Sequence, residues 1–217
     1  MITSNYKNMV YVLEGYVVLW VSKILFTIFA AKLHFAIPFV PDTTMLLLSS
    51  VMACIITIVY LIFRTKYTPI FTISKKACLY SALGIGIIWS FHIISSYIFV
   101  LHSAPVLEYI KGNDVYKYIN IICFIILGPI TEEIIYRGYF VKLLIPKGTV
   151  SALLITSLLF VTSHLLLHNY GFSAVLVLGI YFFIFSMTAG FVYTQAGLVA
   201  AILVHIFNNL YVLVVNT

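Results

Sequence analysis

The sequence predicts an all-α fold, a polytopic bundle of about seven transmembrane helices, on three observations. Of its 217 residues, 63% are hydrophobic and only 8% charged, with a mean hydropathy of +1.14; a soluble domain carries roughly 25% charged residues. Apolar runs long enough for a bilayer, about 20 residues with few charges, recur along nearly the whole chain. The connections between them hold most of the Pro and charged residues, as turn chemistry requires.

In order, the runs are 9–31, 44–63, 77–101, 118–141, 150–168, 173–193 and 196–215. The first carries Glu14 and Lys23 and is not followed by a small-residue cleavage site, which marks a retained helix rather than a secretory signal. The first three are rich in Ile, Leu, Val, Phe and Tyr and read as scaffold or lipid-facing helices; their scattered Ser and Thr can bond back to their own helix carbonyls. Polar connections follow at 32–43, with Pro38 and Pro41, at 64–76, with Pro69, and at 102–117, with Pro105 and Gly112. Only Thr194 and Gln195 separate the last two runs, which fits a tight hairpin or one broken helix. No internal repeat, low-complexity tract or polar linker divides the chain, so residues 1–217 read as a single membrane domain.

The net charge of +6 and pI near 9.2 do not predict a nucleic-acid partner, because the basic residues lie near span ends rather than on one polar element. They read as a topology signal. Arg64, Lys66, Lys75 and Lys76 cluster between the second and third runs, and Arg137, Lys142 and Lys147 close the fourth. The loop 102–117 instead balances Lys111 and Lys117 against Glu108 and Asp114. The positive-inside rule places the first two clusters in the cytoplasm. The N-terminus, with Lys7, falls on the same side, and an odd number of spans puts the C-terminus outside. The expectation is a multi-pass protein of the cell membrane, in contact with membrane lipid.

Cys54, Cys78 and Cys123 lack CxxC spacing and read as small apolar packing residues. His34, His92 and His102 read as interfacial or satisfied histidines, and Tyr11, Trp20 and Tyr97 as anchors or packing residues.

Chemistry is concentrated in the second half. Of only six acidic residues, Glu132 and Glu133 stand side by side in GPITEEIIYRGYF, within the fourth run. A charge at mid-membrane costs roughly 2.5 to 3.5 kcal/mol on insertion scales, and such residues usually face the bundle interior and serve function. Gly128 and Pro129 precede the pair by one turn, where a kink opens the backbone to polar groups. By helical spacing Glu133 reaches Arg137 and Glu132 stacks with Tyr136. In the fifth run Phe160 stands one turn before His164, with Thr162 and Ser163 beside it; in the last, His205 stands one turn before Asn209.

A glutamate, two histidines and an asparagine between three helices suffice for water-activated acyl transfer. The carboxylate takes a proton from a trapped water as general base. A histidine stabilises the oxyanion or protonates the leaving amine, and the asparagine amide donates to the oxyanion. Glu132, His164 and His205 also match a His2Glu zinc set with an open water position, and the residues leave both readings open. HExxH and GxGD motifs are absent, and Gly171 to Ala174 reads GFSA, without the last glycine of a GxSG serine loop.

Three motifs in order, EExxYR (Glu132 to Arg137), FxxxH (Phe160 to His164) and HxxxN (His205 to Asn209), resemble those of the CAAX prenyl protease and bacteriocin-processing family. This family of bacterial multi-pass membrane proteins, also called Abi, is related to the type II CAAX prenyl endopeptidase. The resemblance covers 118–213, a family catalytic core, and leaves the chain about one span short of the longest members. It implies a glutamate-dependent intramembrane endopeptidase acting on a peptide or protein at the membrane. In that assignment Glu132 is the general base, and Glu133 and Arg137 are its supporting pair. His164 and His205 bind or polarise the water and oxyanion, and Asn209 is the oxyanion donor. Peptide maturation or bacteriocin self-immunity is the biological role expected of such a member. Two other classes compete: a non-catalytic membrane scaffold or immunity protein, which would tolerate loss of these side chains, and a proton-coupled carrier, which ranks last because no repeat or paired broken helices are present.

Overall fold

The structure is a computed structural model describing residues 2–36, 42–71, 73–99, 114–165 and 172–215. The side chains of His34, Tyr97 and Asp114, together with His102, Pro38, Pro41, Pro105, Gly112, Glu108 and Lys111, lie outside the described set. Among the described residues there is no strand. The described residues are almost all helical: α1 (Ile2–Ala36), α2 (Asp42–Thr65) and α3 (Ala77–Phe99) come first. The fourth span is composite. It joins α4 (Asp114–Ile122), a π-helical turn (Cys123–Leu127), α5 (Gly128–Glu133), a π-helical stretch (Ile134–Val141), α6 (Lys142–Leu144) and a 3-10 turn (Ile145–Lys147). Then follow α7 (Thr149–Leu165), α8 (Phe172–Ala196) and α9 (Leu198–Val215).

Six of these stretches are long and apolar enough to cross a membrane, so this is a multi-pass membrane protein. The seventh, α7, is the exception, with 17 described residues. At about 1.5 Å per residue it spans roughly 25 Å, short of the ~30 Å hydrocarbon layer. Among the described residues the seven apolar runs are represented by six long apolar helical stretches and one shorter helix.

The outward and inward faces of α1 show how the bilayer replaces water as the solvent. Leu13, Val17, Val21, Leu25 and Ile28 are each at least half exposed, the arrangement expected where lipid covers the surface. Val12, Leu19, Lys23 and Ala30 are buried on the opposite side. α2 packs along α1, and Glu14 accepts from Arg64 Nε at 2.8 Å, Arg64 Nη2 at 3.0 Å and the Tyr60 hydroxyl at 3.0 Å. Thr27, Ser49, Thr57 and Thr65 donate to the carbonyl four residues earlier, so their hydroxyls cost the helices nothing at membrane depth.

One end of the bundle gathers several elements. Asn8 Nδ2 donates to the Leu143 carbonyl at 2.9 Å, and the Tyr139 hydroxyl to the Tyr67 carbonyl at 3.0 Å. A Cβ on Gly138 would stand 3.1 Å from two ring carbons of Pro69, so the connection after α2 lies directly on this glycine. Tyr67, Lys142, Thr149, Gln195 and Gly197, from four parts of the chain, line one cavity of about 520 Å³ at the same end.

Between α8 and α9 the hinge is Gly197, at φ +90°, a left-handed conformation that glycine adopts without steric cost. Thr194 and Gln195 belong to α8, and the two helices fold back on each other: the Tyr181 hydroxyl donates to Asn208 Oδ1 at 2.7 Å. This is a hairpin, not a broken helix. α3 closes over it through Ser81 Oγ, which donates to the Ala200 carbonyl at 3.1 Å, and through Trp89 stacked on Tyr211 at 4.7 Å. His92 belongs to this cluster, with ring contacts to Tyr181 and Tyr211. Cys54 and Cys123 are buried packing residues as expected, whereas Cys78 is exposed at the start of α3.

Candidate active site

Glu132 and Glu133 close α5, between the two π-helical segments. Pro129, in the first turn of α5, has no N–H to donate, and Gly128 N–H reaches back to the Cys123 carbonyl, five residues earlier. Such π-helical turns are frequent at functional sites because they re-aim side chains along one helix. The two glutamates consequently meet different surroundings.

Glu133 points into the core and is fully buried. Its Oε1 accepts from Arg137 Nη1 at 2.9 Å and from His205 Nδ1 at 2.9 Å. Arg137, also buried, donates through Nη2 to the Ser186 carbonyl at 2.9 Å and to Ser186 Oγ at 3.0 Å. Its guanidinium lies 5.3 Å from the Phe160 ring centre. Arg137 is thus a core residue and not part of the basic cluster that closes the fourth span. Sequence spacing indicated the Glu133–Arg137 pair; nothing in it pointed to Ser186, one small hydroxyl in an aromatic run of α8.

Glu132 is partly buried and faces the two histidines. Its Oε2 lies 3.5 Å from His164 Nε2 and 4.0 Å from His205 Nε2. The opposite nitrogen of each ring is already committed. His164 Nδ1 is 2.8 Å from the Phe160 carbonyl, which only accepts, so Nδ1 carries the proton. His205 Nδ1 faces the carboxylate Oε1 of Glu133, which fixes its proton in the same way. In the neutral rings both Nε2 atoms therefore turn a lone pair toward Glu132.

Phe160 organises the floor of the site. His164 stacks on it at 4.1 Å, and Tyr136, Phe185 and His205 pack around it at 5.1, 5.5 and 6.1 Å. Phe182 covers the other side of His164 at 4.8 Å. Tyr136 does not bond to Glu132, its expected neighbour: its hydroxyl donates to Ser163 Oγ at 2.7 Å, and Ser163 in turn donates to the Phe160 carbonyl at 2.8 Å.

Asn209 stands one turn beyond His205 on α9. Its Nδ2 donates to the Phe124 carbonyl at 2.8 Å and its Oδ1 lies 3.3 Å from Asn208 Nδ2, which leaves one amide N–H uncommitted among the described residues. Glu132, Glu133, Arg137, His164 and His205 form one connected group, with Asn209 bracing the π-helical turn beside it. Among the described residues no three His, Cys, Asp or Glu side chains are arranged to hold a metal ion.

Neither a curated protein nor a solved structure matches the chain. Residues 114–211, a little under half of it, match the family described as type II CAAX prenyl endopeptidase Rce1-like, and this segment carries all six residues of the site. Residues 114–211 are therefore similar to the Rce1-like family of type II CAAX prenyl endopeptidases.

Proposed function

We propose that the protein hydrolyses a peptide bond of a membrane-associated peptide or protein with Glu132 as general base. The observation that carries this reading is the convergence of His164 Nε2 and His205 Nε2 on Glu132 Oε2, at 3.5 and 4.0 Å. These spacings are too long for strong direct hydrogen bonds, and a water beside them gives one proton to Glu132 Oε2 and the other to one of the two Nε2 lone pairs. One proton of that water passes to Glu132 Oε2 while its oxygen forms a bond to the scissile carbonyl carbon. The tetrahedral oxyanion then collapses, the C–N bond breaks, and Glu132 returns the proton to the leaving amine. His164 and His205 hold and orient the water, and the uncommitted Asn209 N–H is the donor assigned to the oxyanion.

Glu133 and Arg137 act one layer out. Their ion pair fixes the His205 tautomer, the role that a carboxylate plays behind a working imidazole. No step is routed through zinc. Peptide maturation or bacteriocin self-immunity is the setting we infer, on the family likeness alone.

The test is cleavage of candidate membrane peptides by the purified protein in lipid, with and without chelator. Glu132→Ala should lose at least about a thousandfold in kcat/KM, since it removes the base, and chelation should leave the wild type unchanged. A chelation-sensitive wild type restored by zinc would replace this mechanism with the His2Glu metal one. Full biological activity of the Glu132→Ala protein in cells, with no peptide cut, would establish the scaffold role instead.

A further inference from the structure

A chain of hydrogen bonds leads from α8 through α9 to the π-helical turn of the fourth span, and Asn209 is its last side chain. Gly128 N–H reaches the Cys123 carbonyl and Pro129 has no N–H, and the Phe124 carbonyl accepts from Asn209 Nδ2 at 2.8 Å. A carbonyl only accepts, so this contact decides which way each amide along the chain must point. Asn209 Oδ1 turns to Asn208, whose Nδ2 lies 3.3 Å away. Asn208 Oδ1 then faces Tyr181, whose hydroxyl donates to it at 2.7 Å. The donors therefore run in one direction, from the Tyr181 O–H to the Phe124 carbonyl.

Both ends of the chain are anchored. Asn208 is 5% exposed, so loss of the Tyr181 hydroxyl would strand a buried Oδ1, and the amide would turn toward another donor. Tyr181 is set in its turn by α3: the His92 ring meets it edge-on at 5.7 Å, and His92 also meets Tyr211, which stacks on Trp89 at 4.7 Å. The next residue of α8, Phe182, covers His164 at 4.8 Å, so consecutive residues serve two parts of the site. Linked hydrogen bonds of this kind stiffen as a unit. An Asn209 amide turned end for end would offer an acceptor where the oxyanion needs a donor. We propose that Tyr181 is a positioning residue for the hydrolysis, its hydroxyl acting through Asn208 to keep the remaining Asn209 N–H in place for the oxyanion. This inference rests on the reading of Asn209 as the oxyanion donor.

Tyr181→Phe, which deletes one oxygen, Asn209→Ala and the double variant test it in the full chain in lipid, using a membrane peptide that the wild type cuts. Asn209→Ala should lower kcat about a hundredfold, the usual cost of one oxyanion donor. Tyr181→Phe should lower kcat about tenfold with KM within about twofold, and should cost nothing further once Asn209 is alanine, the non-additivity of residues acting in series. Wild-type kcat in Tyr181→Phe, a loss confined to KM, the same tenfold loss in the Asn209→Ala background, or a Tyr181→Phe protein that does not fold would each overturn the proposal. Binding supplies a readout that needs no turnover. A peptide phosphonamidate, whose phosphoryl oxygen takes the place of the oxyanion, should bind Tyr181→Phe about tenfold more weakly than the wild type, and equal affinity would overturn the proposal as well. Asn209→Ala cleaving like the wild type would sink the donor reading itself. An impaired Asn209→Ala beside an unimpaired Tyr181→Phe would sink only the positioning role.

Discussion

At the residue scale, Glu133 and Arg137 show why a membrane core tolerates full charges. Glu133 is 0% and Arg137 1% exposed, yet the pair shares a hydrogen bond and Arg137 spends further donors on Ser186. Removing one member leaves the other as an uncompensated buried charge, which costs about 3 to 5 kcal/mol. Arg137→Ala should therefore lower Tm sharply in detergent and abolish cleavage through loss of the folded state. Ser163→Ala removes one neutral hydrogen bond from Tyr136, worth about 1 kcal/mol, and should leave a folded, active protein with a small Tm shift. Comparable losses in the two variants would mean that the ion pair is not the stronger hold.

At the element scale, the hairpin of α8 and α9 depends on Gly197 at φ +90°, with Leu198 buried immediately after it. A Cβ in that conformation costs roughly 1 to 2 kcal/mol, so Gly197→Ala should lower Tm by a few degrees, while Gly86→Ala, whose Cβ meets nothing within 4 Å, should not. An unchanged Tm in Gly197→Ala would show that the turn relaxes. The sequence announced the apolar helices because lipid demands long unbroken runs, and it announced Glu133–Arg137 because both lie on one stretch of chain. It hid what depends on contacts between helices: Ser186 and Phe185 from α8, and the tie of Asn209 to Phe124. The π-helical segments were hidden for another reason. A hydrogen bond displaced by one residue leaves no trace in hydropathy.

At the scale of the whole molecule, topology is the remaining prediction, and the packing sharpens the charge argument for it. Asn8 meets Leu143, Glu14 meets Arg64, and the cavity joins Tyr67, Lys142, Thr149 and Gly197, so the start of α1, both ends of the α2–α3 connection, the end of the fourth span and the α8–α9 turn share one end. The helices alternate from that end, and α9 leaves it for the opposite side. Lys7, Arg64, Lys66, Lys142 and Lys147 mark the shared end with positive charge, while Arg137 is withdrawn into the core and does not count toward it. Cations near span ends stay in the cytoplasm, so this end should face inward. Reporters fused after Lys147 and at the N-terminus should both read as cytoplasmic, and one fused after Val215 as external. Three reporters on the same side would require an even number of crossings, with the short α7 entering the bilayer without traversing it. An N-terminal reporter outside, with Lys147 also outside, would instead mean that the basic end does not orient the protein.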